Sequence, residues 1–102
     1  MEKRVVITGL GVITPVGNNV ADFWNNLVAG HCGIDKIKGF EEYELPIYVA
    51  GQVKDFDPAA NGLDAANVRR SDMYCQFAMA AAYQAVMDSG LVSGENIEAE
   101  RF

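Results

Sequence analysis

The chain has 102 residues, half of them apolar, a formal net charge of −6 and a single histidine. That length suits one domain with a modest core, and the acidic balance argues against nucleic acid as the main partner, because phosphate binding needs a basic surface. No apolar run reaches the roughly 18 residues of a membrane span, and Glu2-Lys3-Arg4 leads straight into β-branched sequence with no secretory h-region.

Val5 to Thr8 is a short apolar run that continues through Leu10, Val12 and Ile13. Without clean alternation, it predicts a strand covered on both faces, as in an α/β sheet. Gly9 and Gly11 permit close packing and a turn, and Pro15, which cannot donate to a ladder, ends the strand. Asn18 or Asn19 then caps a helix running to about Ala29, with Val20, Phe23, Trp24, Leu27 and Val28 on one apolar face. Gly30 stands where a left-handed residue closes a helix.

His31 to Glu44 reads as a connector, pinned to the core by Ile34 and Ile37 and carrying a solvated acidic trio, Glu41, Glu42 and Glu44. A second strand is predicted over Ile47 to Val53, with Gly51 marking a bulge or a close backbone approach. Asp57 or Pro58 opens a short helix toward Leu63. A long helix follows, from about Ala65 or Val68 to Ser89. Asp72, Gln76, Ala80, Gln84 and Asp88 share one row of it, and most other positions are apolar or small. Such a helix belongs inside a larger structure, and its alanines let a neighbouring backbone come close. Gly90 and Leu91 predict a Schellman stop. Asn96 to Phe102 reads as a polar connector.

Few of these features carry chemistry. Gly9 and Gly11 begin a G-x-G, but Thr14 stands where the dinucleotide fingerprint needs a third glycine, and no G-K-[ST] follows. Cys32 and Cys75 are far apart in the chain and are expected to be free cytosolic thiols. Burial in the apolar helix would make Cys75 inert. Neither they nor His31 make a metal site without added carboxylates, so no metal is expected. Arg69 and Arg70 are harder to explain. In a helix starting near Val68 they occupy the positive end, at a cost of about 0.3–1 kcal/mol each, partly relieved by Asp72. In a helix starting at Asp64 they are an ordinary solvated patch.

Taken in order, VVITGLGVITPVGNN (5–19), the Trp24 helix with its Gly30/Gly33-Ile34 connector, AGQVKDFDP (50–58) and RRSDMYCQFAMAAAYQAVMDSG (69–90) resemble the opening of the β-ketoacyl-acyl-carrier-protein synthases, the type II condensing enzymes in particular. The resemblance covers essentially the whole chain, and those enzymes are several times longer. It implies an α/β fold that is the incomplete N-terminal part of a thiolase-like layered α-β-α-β-α architecture, opening strand-helix-strand-helix. Residues 1–102 would then be a portion of the family's N-terminal domain, with no complete second domain.

The implied reaction moves an acyl chain from a carrier's phosphopantetheine to a cysteine, then joins it to the carbanion left by malonyl decarboxylation. Cys32 lies in His-Cys-Gly and Cys75 in Tyr-Cys-Gln, unlike the family's small-Ala-Cys-small context, and His31 matches neither catalytic histidine. No catalytic residue is therefore expected here, and no cofactor is expected to be bound. The resemblance does imply that Arg69 and Arg70 belong to the basic patch that receives an acidic acyl carrier protein, although Ala66 stands where relatives carry a further basic residue. It also implies a cytoplasmic enzyme and a homodimer. A polyketide-type synthase, its chain-length partner and a free-standing binding module remain alternatives.

Overall fold

The computed structural model describes residues 2–102 and mixes helices with one small sheet. The chain divides into two compact units, one formed by the residues up to Gly11 with Pro58–Phe102, the other by Val12–Asp57.

The first unit is organised by helix α3, Met73–Ser89. Its row Gln76, Ala80, Gln84 and Asp88 faces other parts of the same unit. Ala80 is fully buried, Gln76 is 5% exposed, Gln84 Nε2 donates to Asn61 Oδ1 at 2.8 Å, and Asp88 Oδ2 accepts from the Leu10 amide at 3.0 Å. The polar row of this helix is thus its seam with the rest of the unit, buried at Gln76 and Ala80, half-buried at Gln84 and open at Asp88. Met73, Tyr74, Val86 and Met87 lie exposed.

Glycines make the seam close. A Cβ on Gly9 would strike the carbonyl of Ala85, and one on Gly11 that of Ala81, so these residues let the chain lie directly on α3. The alanines predicted to admit a neighbouring backbone admit this one. The strand expected over Val5 to Thr8 is not observed: the segment carries no ladder among the described residues, and Val5 is 91% exposed. A strand needs a neighbour to take its alternate amides and carbonyls, and within this unit residues 9–11 have a helix beside them instead.

A 3₁₀ turn, Ala59–Asn61, follows Pro58 as expected, and Gly62 closes it in the left-handed region at φ 75°. Leu63, just beyond, is buried. Helix α3 ends on Gly90, also left-handed at φ 69°. The Leu91 amide goes to Ser89 Oγ at 3.1 Å, so a serine side chain supplies part of the stop that the Schellman pattern assigned to the backbone. The tail is folded back by Asn96, which accepts from the Val92 amide at 2.7 Å and donates to the Gly90 carbonyl at 2.8 Å, before a 3₁₀ turn at Ala99–Arg101.

In the second unit, helix α1 spans Val20–Val28. Asn19 caps it by accepting from the Asp22 amide at 2.8 Å. Gly30 donates to the Leu27 carbonyl and His31 to that of Asn26, the pair of bonds of a Schellman stop. Strands β1, Ile34–Lys36, and β2, Val49–Gly51, form an antiparallel hairpin with Ile34 opposite Gly51.

The expected connector at residues 31–44 therefore contains a strand, and Ile34 is exposed, not a core pin; Ile37 is half-buried. The second strand is shorter than Ile47 to Val53 because Ile47 and Tyr48 lie outside the regular ladder, which continues only as the Ile37 amide bonding to Tyr48 O. Gly51 is paired without a bulge. Its other expected role holds, since a Cβ there would come within 3.2 Å of the Pro15 ring, and one on Gly33 within 2.8 Å. Lys54 fastens this arrangement, its Nζ reaching the carbonyls of Gly33, Gln52 and Pro15 at 3.2–3.4 Å.

Gly11→Ala should destabilise the protein by about 2–3 kcal/mol, because the new methyl meets a helix carbonyl that cannot move aside. Ala82→Ser, at an exposed position of the same helix, should stay within about 0.5 kcal/mol. Urea unfolding of the two variants checks both values.

Candidate functional site

The long helix expected through Arg69 and Arg70 is broken. Helix α2 spans only Ala65–Arg70 and α3 begins at Met73. Ser71 and Asp72 between them are extended, at φ −120°, ψ 138° and φ −67°, ψ 161°. Short polar side chains favour such helix boundaries because they compete with helical backbone bonds. Asp64 starts α2, accepting from the Asn67 amide at 2.7 Å.

The break reverses the electrostatics of the arginine pair. Arg69 and Arg70 stand in the last turn of α2, at the end where free carbonyls carry partial negative charge. The cost expected for cations at a helix start does not arise. Both side chains are exposed, an adjacent cationic pair in a chain of 8 basic and 14 acidic residues. Asp72 is exposed beside them.

Gln76 closes the corner. Its Nε2 donates to Ser71 O at 3.0 Å and to Val68 O at 3.3 Å, occupying carbonyls on either side of the arginines. Sequence reasoning placed Gln76 on the polar row but gave it no role at this site. The available signal was a carboxamide one turn into a largely apolar helix, where an unpaired buried amide would be costly. Nearby, a hydrogen bond with the Cys75 side chain raises the Tyr74 hydroxyl above its ordinary range.

Other candidates do not assemble. Cys32 is exposed and Cys75 half-buried, both free thiols. Among the described residues no three His, Cys, Asp or Glu side chains gather as metal ligands, and no helix is long and apolar enough to cross a membrane. In the acidic trio, backbone hydrogen bonds from Glu41 and Gly39 hold the Glu41 carboxyl below its usual range. A cavity of about 250 Å³ beside the hairpin is lined by Asp35, Lys36, Lys38, Gln52, Lys54 and Asp55. The Lys54 ammonium is committed to backbone carbonyls, and Gln52 clamps Lys38 by bonds of 2.9 and 3.0 Å, so this cavity is chiefly a by-product of hairpin geometry.

Residues 2–101 match the family model for the β-ketoacyl synthase N-terminal domain. The chain belongs to the β-ketoacyl synthase family. It is 50% identical over 96 residues to 3-oxoacyl-[acyl-carrier-protein] synthase 2 of Coxiella burnetii, covering 93% of this chain and 23% of that protein. It is 45% identical over 94 residues to the synthase of the same name from Synechocystis, covering 92% and 22%. Among solved structures it is similar to the ishigamide ketosynthase/chain length factor, with a TM-score of 0.76, 32% identity, and coverage of 90% of this chain and 22% of that one. The chain thus spans less than a quarter of the length of these relatives. The resemblance drawn from the four ordered motifs holds at the level of family.

Proposed function

We propose that these residues are the N-terminal portion of a 3-oxoacyl-acyl-carrier-protein synthase of type II, and that their part in its work is structural support and carrier docking. The identity of 50% to a synthase 2, spread over nearly the whole chain, supports this reading most directly. In the proposed whole enzyme a cysteine thiolate attacks the acyl thioester and releases the carrier's phosphopantetheine thiol. Malonyl-carrier then loses carbon dioxide, its carbanion attacks the acyl carbonyl, and the cysteine thiolate leaves. Two histidines would polarise the malonyl thioester oxygen. None of these groups is assigned to residues 1–102, because Cys32, Cys75 and His31 stand in the wrong sequence contexts.

The layered fold of the family fits the outward face of α3, since Met73, Tyr74, Val86 and Met87 would be covered by the rest of such an enzyme. So would Val5 and Ile7, for which a neighbouring strand would supply the missing ladder. A cytoplasmic homodimer is part of the same proposal. Arg69 and Arg70 are its docking residues: exposed, adjacent, cationic, and suited to an acidic carrier that brings its substrate on phosphopantetheine. A second reading, a polyketide-type synthase or its chain-length partner, is favoured by the ishigamide neighbour. An active-site cysteine in the remaining sequence would exclude a chain-length partner.

Purified residues 1–102 should not condense acyl- and malonyl-carrier, and turnover by them would refute the assignment of chemistry elsewhere. In the full-length enzyme, Arg69→Glu with Arg70→Glu should weaken carrier binding at least about tenfold at low salt, with the difference shrinking as salt rises. Unchanged affinity at low salt would refute the docking role.

A further inference from the structure

We infer that Gln76 is a positioning residue for carrier docking: its buried carboxamide locks the corner between α2 and α3 and so fixes how Arg69 and Arg70 are presented. The inference rests on the docking role proposed above. Its own support is geometric. Gln76 is 5% exposed, and one Nε2 serves both Val68 O and Ser71 O, the backbone acceptors that flank the arginine pair in the chain.

Two consequences follow from that bond pair. A helix of six residues cannot sustain itself in water, because nucleation is costly and few bonds repay it. Helix α2 therefore depends on its surroundings: half-buried Ala66 and Val68 pack its face, and its ends are gripped by the Asp64 cap and by Gln76. Arginine near a helix C-terminus can also fold back onto the last carbonyls. Gln76 already engages the Val68 carbonyl and that of Ser71, so two acceptors beside the exposed arginines are bonded to it. Gln76 itself, being buried, touches no carrier. It acts only through the backbone that bears the arginines.

The test uses the full-length enzyme and four proteins: wild type, Gln76→Met, Arg69→Ala/Arg70→Ala, and the triple variant. Methionine keeps the length of the side chain and removes both donated bonds. Gln76→Met should raise KM for acyl-carrier protein about fivefold, change kcat less than about twofold, and keep the salt dependence, since no charge is lost. In the Arg69→Ala/Arg70→Ala background, Gln76→Met should have no further effect on KM. If methionine lowers the melting temperature, Gln76→Asn, which keeps the amide but withdraws it by one bond, should reproduce the KM effect at wild-type melting temperature.

An arginine variant that weakens binding beside a Gln76→Met variant that does not would overturn the positioning role and leave docking intact. Arginine variants without effect would overturn docking itself. Additive effects in the triple variant, or equal losses in kcat and KM, would make Gln76 an ordinary structural residue and contradict the inference.

Discussion

One face of α3 carries the first unit. Along a single row, Gln76, Gln84 and Asp88 each bond to a different stretch of the unit around the buried Ala80, and between them the backbone carbonyls of Ala81 and Ala85 lie against Gly11 and Gly9. Close packing of backbone on backbone is possible only because neither side offers a large side chain. The polar groups brought together by that closeness are bonded one by one, which matters most for Gln76, the buried carboxamide of the row. The same row that seats the start of the chain also grips the end of α2. The position of the arginine pair therefore depends on the α3 seam more than on α2's own helical propensity.

Much of this was legible in the sequence where the physics is local. The Asn19 cap, the left-handed Gly30 and Gly90 and the Pro58 turn each follow from the conformational limits of one or two residues. The errors fall where a distant partner decides. Val5 to Ile7 has β-branched strand composition, but composition cannot supply a neighbouring strand. Ile34 looked like a core residue, yet it lies in a hairpin strand left exposed. The break at Ser71-Asp72 had only a weak local mark, two short polar residues that favour a boundary but are also tolerated within a helix. What marks it is a long-range choice, Gln76 capping α2 in preference to facing solvent.

That break changes what the arginine pair means. Within a continuous helix the pair would be either a small electrostatic cost or an incidental patch. At the C-terminal end of a short helix it is electrostatically at ease and held at an exposed corner. Under the proposed function the remaining anomaly, the exposed apolar face of α3 that is disproportionate for so small a chain, is a surface covered by the rest of the enzyme. The relatives are more than four times as long by coverage, and the proposed function assigns both the covering and the chemistry to their remaining portion.

The central claim is that this segment serves a condensing enzyme by receiving its carrier at the α2–α3 corner. Hydrogen–deuterium exchange on the full-length enzyme, with and without acyl carrier protein, tests it most directly. The account predicts slowed exchange on carrier binding in peptides covering residues 64–76. Carrier bound at saturation with exchange slowed elsewhere, and unchanged across those residues, would contradict it.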